Sequence, residues 1–227
     1  MSPMAKALVI AGFFLVAAVA ANAEERSVGP FSKLRVRNGI DIYLTQSDRE
    51  TLTVKASDPD KVVTEVVNGE LRISRATGGR SFFGGATDEV HVGFVELSAI
   101  DASGGSDVKG RSQMQLEGLA VTASGGSDID LDLQAKHLDV TLSGGSDLRL
   151  RGNAESVAIE ASGGSDVSAA ALQARQVKLR VSGGSDARIN AKEAIDISAS
   201  GGSDVSVSGN PQRRTVNNDR SSDVYWR

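Results

Sequence analysis

No cysteine occurs in the 227 residues of this chain. Neither a disulfide nor a lipid-modified cysteine is available, so an exported domain of this sequence must hold together by hydrogen bonding and packing alone. Aromatic residues make up only 4% of the chain, and between Val95 and Val224 there is no Phe, Tyr or Trp. Any core in that stretch is filled by Val, Ile, Leu and Ala, which suits a narrow interior and argues against a thick sandwich. Histidine occurs twice, at His91 and His137, and neither has an evident nucleophile beside it in sequence. Positive charge is not in excess either: the formal net charge is −4, with no basic stripe to balance a nucleic-acid backbone. The small cluster Gln212-Arg213-Arg214 with Arg220 reads as the solvated end of a domain.

At 40% apolar residues the chain can form one elongated repeat domain or two small globular ones. Its first 23 residues have the grammar of an export signal. Lys6 leads an uncharged, apolar run from Ala7 to Ala20, and Ala21-Asn22-Ala23 supplies small residues at a cleavage site. The 14-residue run is short of the roughly 20 that a membrane-spanning helix needs, so cleavage is favoured over a retained anchor. Removal would leave Glu24 first and, by loss of Lys6, move the net charge to −5. The expected location is periplasmic, cell-surface or secreted, with no transmembrane segment after cleavage.

From Phe31 to Arg75 apolar residues alternate in short runs: Leu34 and Val36; Ile40, Ile42 and Leu44; Leu52 and Val54; Leu71 and Ile73. Turn residues such as Asn38-Gly39 and Asn68-Gly69 break the runs, so this part reads as β structure. Asp58-Pro59-Asp60 predicts one short helical turn. A glycine-rich loop, 78–85, carries Phe82 and Phe83 between glycine pairs. These two aromatics are candidates for contact with a partner, against the alternative that they fold back over the end of the core.

Downstream, one phrase recurs six times. Ser-Gly-Gly-Ser-Asp begins at Ser103, Ser124, Ser143, Ser162, Ser182 and Ser200, at intervals of 21, 19, 19, 20 and 18 residues. Alternating apolar residues precede each copy (Leu138, Val140, Leu142) and follow it (Leu148, Leu150) with unbroken parity. That parity turns the second serine inward and the aspartate outward. Two folds use such a pattern. Gly-Gly suits a hairpin in an antiparallel meander, but a hairpin leaves the unvarying Ser and Asp unexplained. A parallel coil explains them, because stacking repeats the same corner in every turn. The expected fold is therefore all-β: a right-handed parallel β-solenoid (β-helix) with coils of about 19 residues and an N-terminal β cap region. The chain divides into a signal peptide at 1–23, an N-terminal β region at 24–94 and solenoid repeats with a C-terminal cap at 95–227. A degenerate seventh corner, Ser221-Ser222-Asp223, precedes Val224, Tyr225 and Trp226, whose bulk suits a cover for the last open core.

Stacking aligns Asp107, Asp128, Asp147, Asp166, Asp186 and Asp204 in a column. At about 4.8 Å, neighbours repel by about 0.9 kcal/mol in water and about 3.5 kcal/mol at an effective dielectric near 20, so the ladder must be exposed. A calcium ladder is the sharper reading. However, the period is not that of calcium-binding β-rolls and one carboxylate per coil is a thin ligand set, so a corner role without any cofactor is preferred. Enzymatic cleavage of acidic polysaccharide by Asp147 and Asp166 with Arg149 and Arg151 is the alternative function. A repeated turn offers many equivalent carboxylates and no distinguished pair, so the chain reads as a non-enzyme.

The opening phrases Phe31-Ser32-Lys33-Leu34-Arg35-Val36, Asn38-Gly39-Ile40-Asp41-Ile42-Tyr43-Leu44-Thr45-Gln46 and Asn68-Gly69-Glu70-Leu71-Arg72-Ile73 precede the repeats in order. Together they resemble the bacterial family described as putative auto-transporter adhesin, head GIN domain, over roughly 31–207. The resemblance implies an exported β-helical domain with an adhesive or surface role, and it supplies no catalytic residues; the expected function is a binding, adhesion or structural module of the cell envelope, with an envelope or surface ligand, protein or polysaccharide, as partner. The chain ends soon after the repeats, without the long C-terminal barrel of a self-transporting adhesin. A free periplasmic protein, or another route to the surface, is therefore expected.

Overall fold

The computed structural model describes residues 23–76 and 88–227. Most of the expected export signal, residues 1–22, and the loop carrying Phe82 and Phe83 lie outside the described residues.

The strands of the repeat region are long: β10 (Met114–Ser124), β11 (Ile129–Ser143), β12 (Leu148–Ala161), β13 (Val167–Ser182) and β14 (Ala187–Ser200). Upstream of these lie β1 (Ala23–Arg26), β2 (Lys33–Arg37), β3 (Ile40–Gln46), β4 (Thr51–Lys55), β5 (Val62–Val67), β6 (Glu70–Arg75), β7 (Asp88–Phe94), β8 (Ala99–Ser103) and β9 (Val108–Gly110), and downstream lie β15 (Asp204–Gly209), β16 (Arg213–Asn218) and β17 (Asp223–Trp226). Each of β11 to β14 starts just after a Gly-Gly corner, bends at a softer second corner and ends at the next Gly-Gly. A coil thus contributes one segment to the wall before the glycines and one to the wall after them.

Successive coils are parallel and in register. Leu138 faces Val157, Val157 faces Val177 and Val177 faces Ile195 in one wall; Ile129, Leu148, Val167, Ala187 and Val205 align in the other. The result is a β-solenoid of about seven turns, not a hairpin meander. Period-2 parity sends the aliphatic residues of both walls into one core that runs from Phe31 to Val207.

The parallel stack extends upstream of residue 95. β2 pairs with β8 and β3 with β9, while on their other side β2 pairs with β6 and β3 with β7. The β6/β7 turn therefore lies outside the β2/β3 turn, although it comes later in the chain. Antiparallel strands follow at this end: β5 on β6, β4 on β7 and β1 on β4. The 3-10 turn Pro59–Lys61 matches the Asp-Pro-Asp signal, since proline in the first turn gives up no needed N–H. Arg26 of β1 donates to Pro59 O at 2.8 Å and to Thr64 Oγ1 at 3.1 Å, tying the N-terminal strand to that turn and to β5.

At the other end the aromatic bulk does not do what the sequence suggested. Val224 packs against the core, but Tyr225 is 52% and Trp226 39% exposed. Tyr225 aligns with the outward Ser206, so parity turns it to solvent, and Trp226 stacks with the Arg214 guanidinium at 4.4 Å. No helix among the described residues is long and apolar enough to cross a membrane.

Candidate functional site

The Gly-Gly corner repeats most strictly, and each of its residues has a backbone task. Gly144 and Gly145 have φ of 67° and 72°, a region that L side chains avoid. A Cβ on Gly144 would stand 3.2 Å from Gly125 N, whereas one on Gly145 meets nothing within 4 Å. The first glycine thus serves both conformation and close stacking, the second conformation alone. Asn38-Gly39, with φ of 69° and 70°, forms the same corner one turn upstream.

The second serine of each copy is buried, as parity predicted: Ser106, Ser127, Ser146, Ser165, Ser185 and Ser203 are all 0% exposed. Its hydroxyl accepts the backbone N–H of the serine one coil earlier, Ser127 N to Ser146 Oγ at 3.2 Å and Ser146 N to Ser165 Oγ at 3.2 Å. The hydroxyl donates back into its own corner, Ser165 Oγ to Ser162 O at 3.0 Å. The aspartates point outward and work in the opposite direction along the stack. Asp166 N donates to Asp147 Oδ1 at 3.4 Å and Asp204 N to Asp186 Oδ1 at 3.3 Å. Burial raises the Asp128 carboxyl above its usual range and the Asp107 carboxylate adds to the rise, while the Asp147 N–H opposes it. At the last corner the side chains of Asp219, Ser221 and Ser222 accept from Gly201 N, Gly202 N and Ser203 N at 2.9, 3.2 and 3.1 Å. Asp219 thereby does with its carboxylate what the Ser124 carbonyl does for Gly104 N in an earlier corner, and the Gly201 N–H, with help from Ser222 and Ser221, lowers its carboxyl to about 2.

Within this column the polar groups are engaged along the stack itself. Among the described residues no group of three or more His, Cys, Asp or Glu converges on a point that could hold a metal ion. Asp107, Asp128, Asp147, Asp166, Asp186 and Asp204 stand one per coil, and several accept a backbone N–H of the next. The acid–base set of the enzymatic alternative does not assemble either. Arg149 and Arg151 both reach Asp130, at 3.6 and 2.7 Å, and form no ion pair with Asp147 or Asp166. His91 lies against Tyr43, ring centroids 4.9 Å apart, and 3.4 Å from Glu89. His137 Nδ1 is 2.8 Å from Ser156 Oγ, but among the described residues no acid is hydrogen-bonded to its other ring nitrogen to orient it as the base of a nucleophilic dyad.

The second corner is different. Three rows run across the coils there. Gln115, Gln134, Asn153 and Gln173 are in register in the first, and Leu116, Ala135, Ala154 and Ala174 in the second. The third is Glu117, Lys136, Glu155 and Arg175. Between the outer two rows runs a groove of about 560 Å³, lined by all of these residues except Ala174, and by Lys192. A second hollow of about 580 Å³ shares Gln115, Leu116 and Glu117 with it and continues to Gln46, Glu96 and Ser98. Charges on the bank neutralise one another, Lys136 with Glu117 at 2.6 Å and Arg175 with Glu193 at 2.9 Å. Gln46 closes the upstream end by doing a backbone's work, accepting from Gln115 N at 2.7 Å and donating to Gln115 O at 3.0 Å. The sequence reading missed this groove, because alternation reports only what points inward. Its signal was the carboxamide–small–charged triplet of Gln134-Ala135-Lys136, Asn153-Ala154-Glu155 and Gln173-Ala174-Arg175.

Comparison with known proteins shows where this fold recurs. The family model described as "Putative auto-transporter adhesin, head GIN domain" matches residues 30–211. The chain belongs to this family. Among solved structures, a putative adhesin from Bacteroides fragilis superposes with a TM-score of 0.83 at 21% identity, covering 90% of this chain and 96% of that one. A putative adhesin from Parabacteroides merdae gives 0.71 at 15% identity, with 91% and 95% covered. A protein from Parabacteroides distasonis described as a putative lipid binding protein gives 0.71 at 16%, with 92% and 98% covered. At these identities the likeness speaks for the fold. No curated protein matches the chain. Membership of this family is consistent with an adhesion-type module.

Proposed function

We propose that this head GIN domain is an exported, non-enzymatic binding module of the bacterial envelope, and that the second-corner groove is its contact surface. The observation that carries the reading is the contrast between the two corners. The Gly-Gly corner spends its polar groups on the backbone. The second corner holds Gln115, Asn153 and Gln173 with side-chain amides that make no hydrogen bond within the described residues. Free polar groups in a concave site fixed by rigid strands are suited to recognition. Export rests on the leader, and the family's adhesive character supports a surface or periplasmic setting.

The test is to express the full chain with its leader in a bacterium, fractionate the cells, and measure the mass of the product. Cleavage after Ala23 and recovery outside the cytoplasm are expected. The purified product should then co-sediment with isolated envelope, and the triple change Gln115→Ala, Asn153→Ala, Gln173→Ala should reduce that binding. An uncleaved cytoplasmic product, or envelope binding indifferent to the triple change, refutes the proposal.

A further inference from the structure

The groove's chemistry narrows its ligand. This step rests on the groove being the contact surface. Carboxamides are both donors and acceptors, and four of them stand at one position of four successive coils. The rise per coil is about 4.8 Å, close to the length of one sugar unit in an extended chain, so the row spans about 14 Å along the solenoid axis. Gln134 donates to Gln113 Oε1 at 3.0 Å and keeps its own oxygen free. Ala135 and Ala154 belong to the core, which keeps the floor narrow, and the half-buried Leu116 is its apolar contact for the C–H face of a sugar ring.

The bank excludes other polymers. Glu117, Glu155 and Glu193 balance Lys136, Arg175 and Lys192, so the groove has no charge of one sign to draw in a polyanion. A peptide strand would seek an unpaired sheet edge, but the groove crosses coils whose backbones already pair with one another. We infer that the groove binds a neutral, extended oligosaccharide lying along the solenoid axis, its hydroxyls hydrogen-bonded by Gln115, Gln134, Asn153 and Gln173.

The side-chain amide resonances of Gln and Asn give a direct readout. The purified protein is titrated with maltotetraose, cellotetraose and chitotetraose, and separately with tetragalacturonate. At least one neutral tetrasaccharide should shift the amides of these four residues with a Kd on the order of 1 mM and leave the Gly-Gly corner amides unmoved. In the triple variant Gln115→Ala, Asn153→Ala, Gln173→Ala the affinity should fall at least tenfold, with corner amides showing that the fold persists. Silence from all three neutral sugars, shifts with tetragalacturonate alone, or shifts elsewhere on the surface would overturn the assignment. If the triple variant loses envelope binding while no neutral sugar shifts these amides, the groove stands as a contact surface and the sugar assignment falls. If the triple variant keeps envelope binding intact, the contact-surface reading itself fails.

Discussion

Substituting Ser146 by alanine isolates the least visible element of this fold. Ser146 is fully buried, and its hydroxyl accepts the Ser127 N–H at 3.2 Å. Alanine occupies nearly the same space, so little cavity forms. What changes is that the Ser127 N–H loses its partner, away from water. A buried donor left unsatisfied costs about 1–3 kcal/mol. For a domain of this size each kcal/mol shifts the melting temperature by about 2–4 °C, so Ser146→Ala should melt roughly 4–8 °C lower for a loss near 2 kcal/mol. Hydrogen exchange adds a local readout that a general packing defect would not reproduce. The Ser127 amide should exchange faster, while Ser146 N–H, still held by Ser165 Oγ, should stay protected relative to the shifted global stability. The double change Ser146→Ala with Ser165→Ala should depart from additivity, since neighbouring links of one network couple. A melting temperature unchanged within about 1 °C, which corresponds to under about 0.5 kcal/mol, together with an unaltered Ser127 amide, would refute the view that the serine ladder holds the coils together.

The glycine pair should separate on mutation. Gly144→Ala and Gly145→Ala both pay for positive φ, about 1–2 kcal/mol, but only Gly144→Ala adds the 3.2 Å approach to Gly125 N, so it should be the less stable of the two by chemical denaturation. Asp219 should govern the acid end. Its carboxyl lies at about 2 in the folded chain, below its unfolded value, so its contribution is present above about pH 4 and is lost as the pH falls toward 2; Asp219→Ala should remove that step, read as faster exchange of the Gly201 amide at neutral pH. Asp128 runs the other way. Its raised carboxyl means that stability falls as pH rises through the window just above 3.8, and Asp128→Asn should be at least as stable as the parent at pH 7 in thermal melts. By contrast, Lys136→Ala breaks an exposed ion pair and should change stability by no more than about 1 kcal/mol, so a loss of binding in groove variants would not be a loss of fold.

Much of the scaffold was legible because a period of two survives any bend that keeps count. Leu142 and Leu148 flank a corner of fixed length, so their shared parity placed Ser146 inward and Asp147 outward without knowledge of the coil. The order of turns was not legible. Nothing local in Leu34–Val36 or Leu71–Ile73 says which lies against Ile100, because parallel partners are chosen by tertiary stacking; the structure puts β2 there and β6 beyond it. Asn38-Gly39 could be read as a turn but not as the first member of the glycine column, since the Ser-Asp that marks the others is absent. Asp219 was hidden for a related reason: it precedes the degenerate corner and acts through a side chain where other coils use backbone. Tyr225 misled, because its size suggested a cover and its register with Ser206 turns it to solvent.

The two corners of the coil divide the work in a way that bears on function. Six Gly-Gly corners are identical, and each position in them answers to a fixed geometric demand: positive φ, close approach, a buried acceptor, an outward acceptor. The second corners obey a looser rule. Gln134-Ala135-Lys136, Asn153-Ala154-Glu155 and Gln173-Ala174-Arg175 keep a small residue against the core but change carboxamide length and reverse charge from coil to coil, at no cost to the parallel register. A fully satisfied corner on one side is what permits this freedom on the other. If stability resides in the Ser-Gly-Gly-Ser-Asp column, the groove can be rewritten to suit a different ligand while the stack remains, and changes at Gln115, Asn153 or Gln173 should alter recognition without altering the melting temperature.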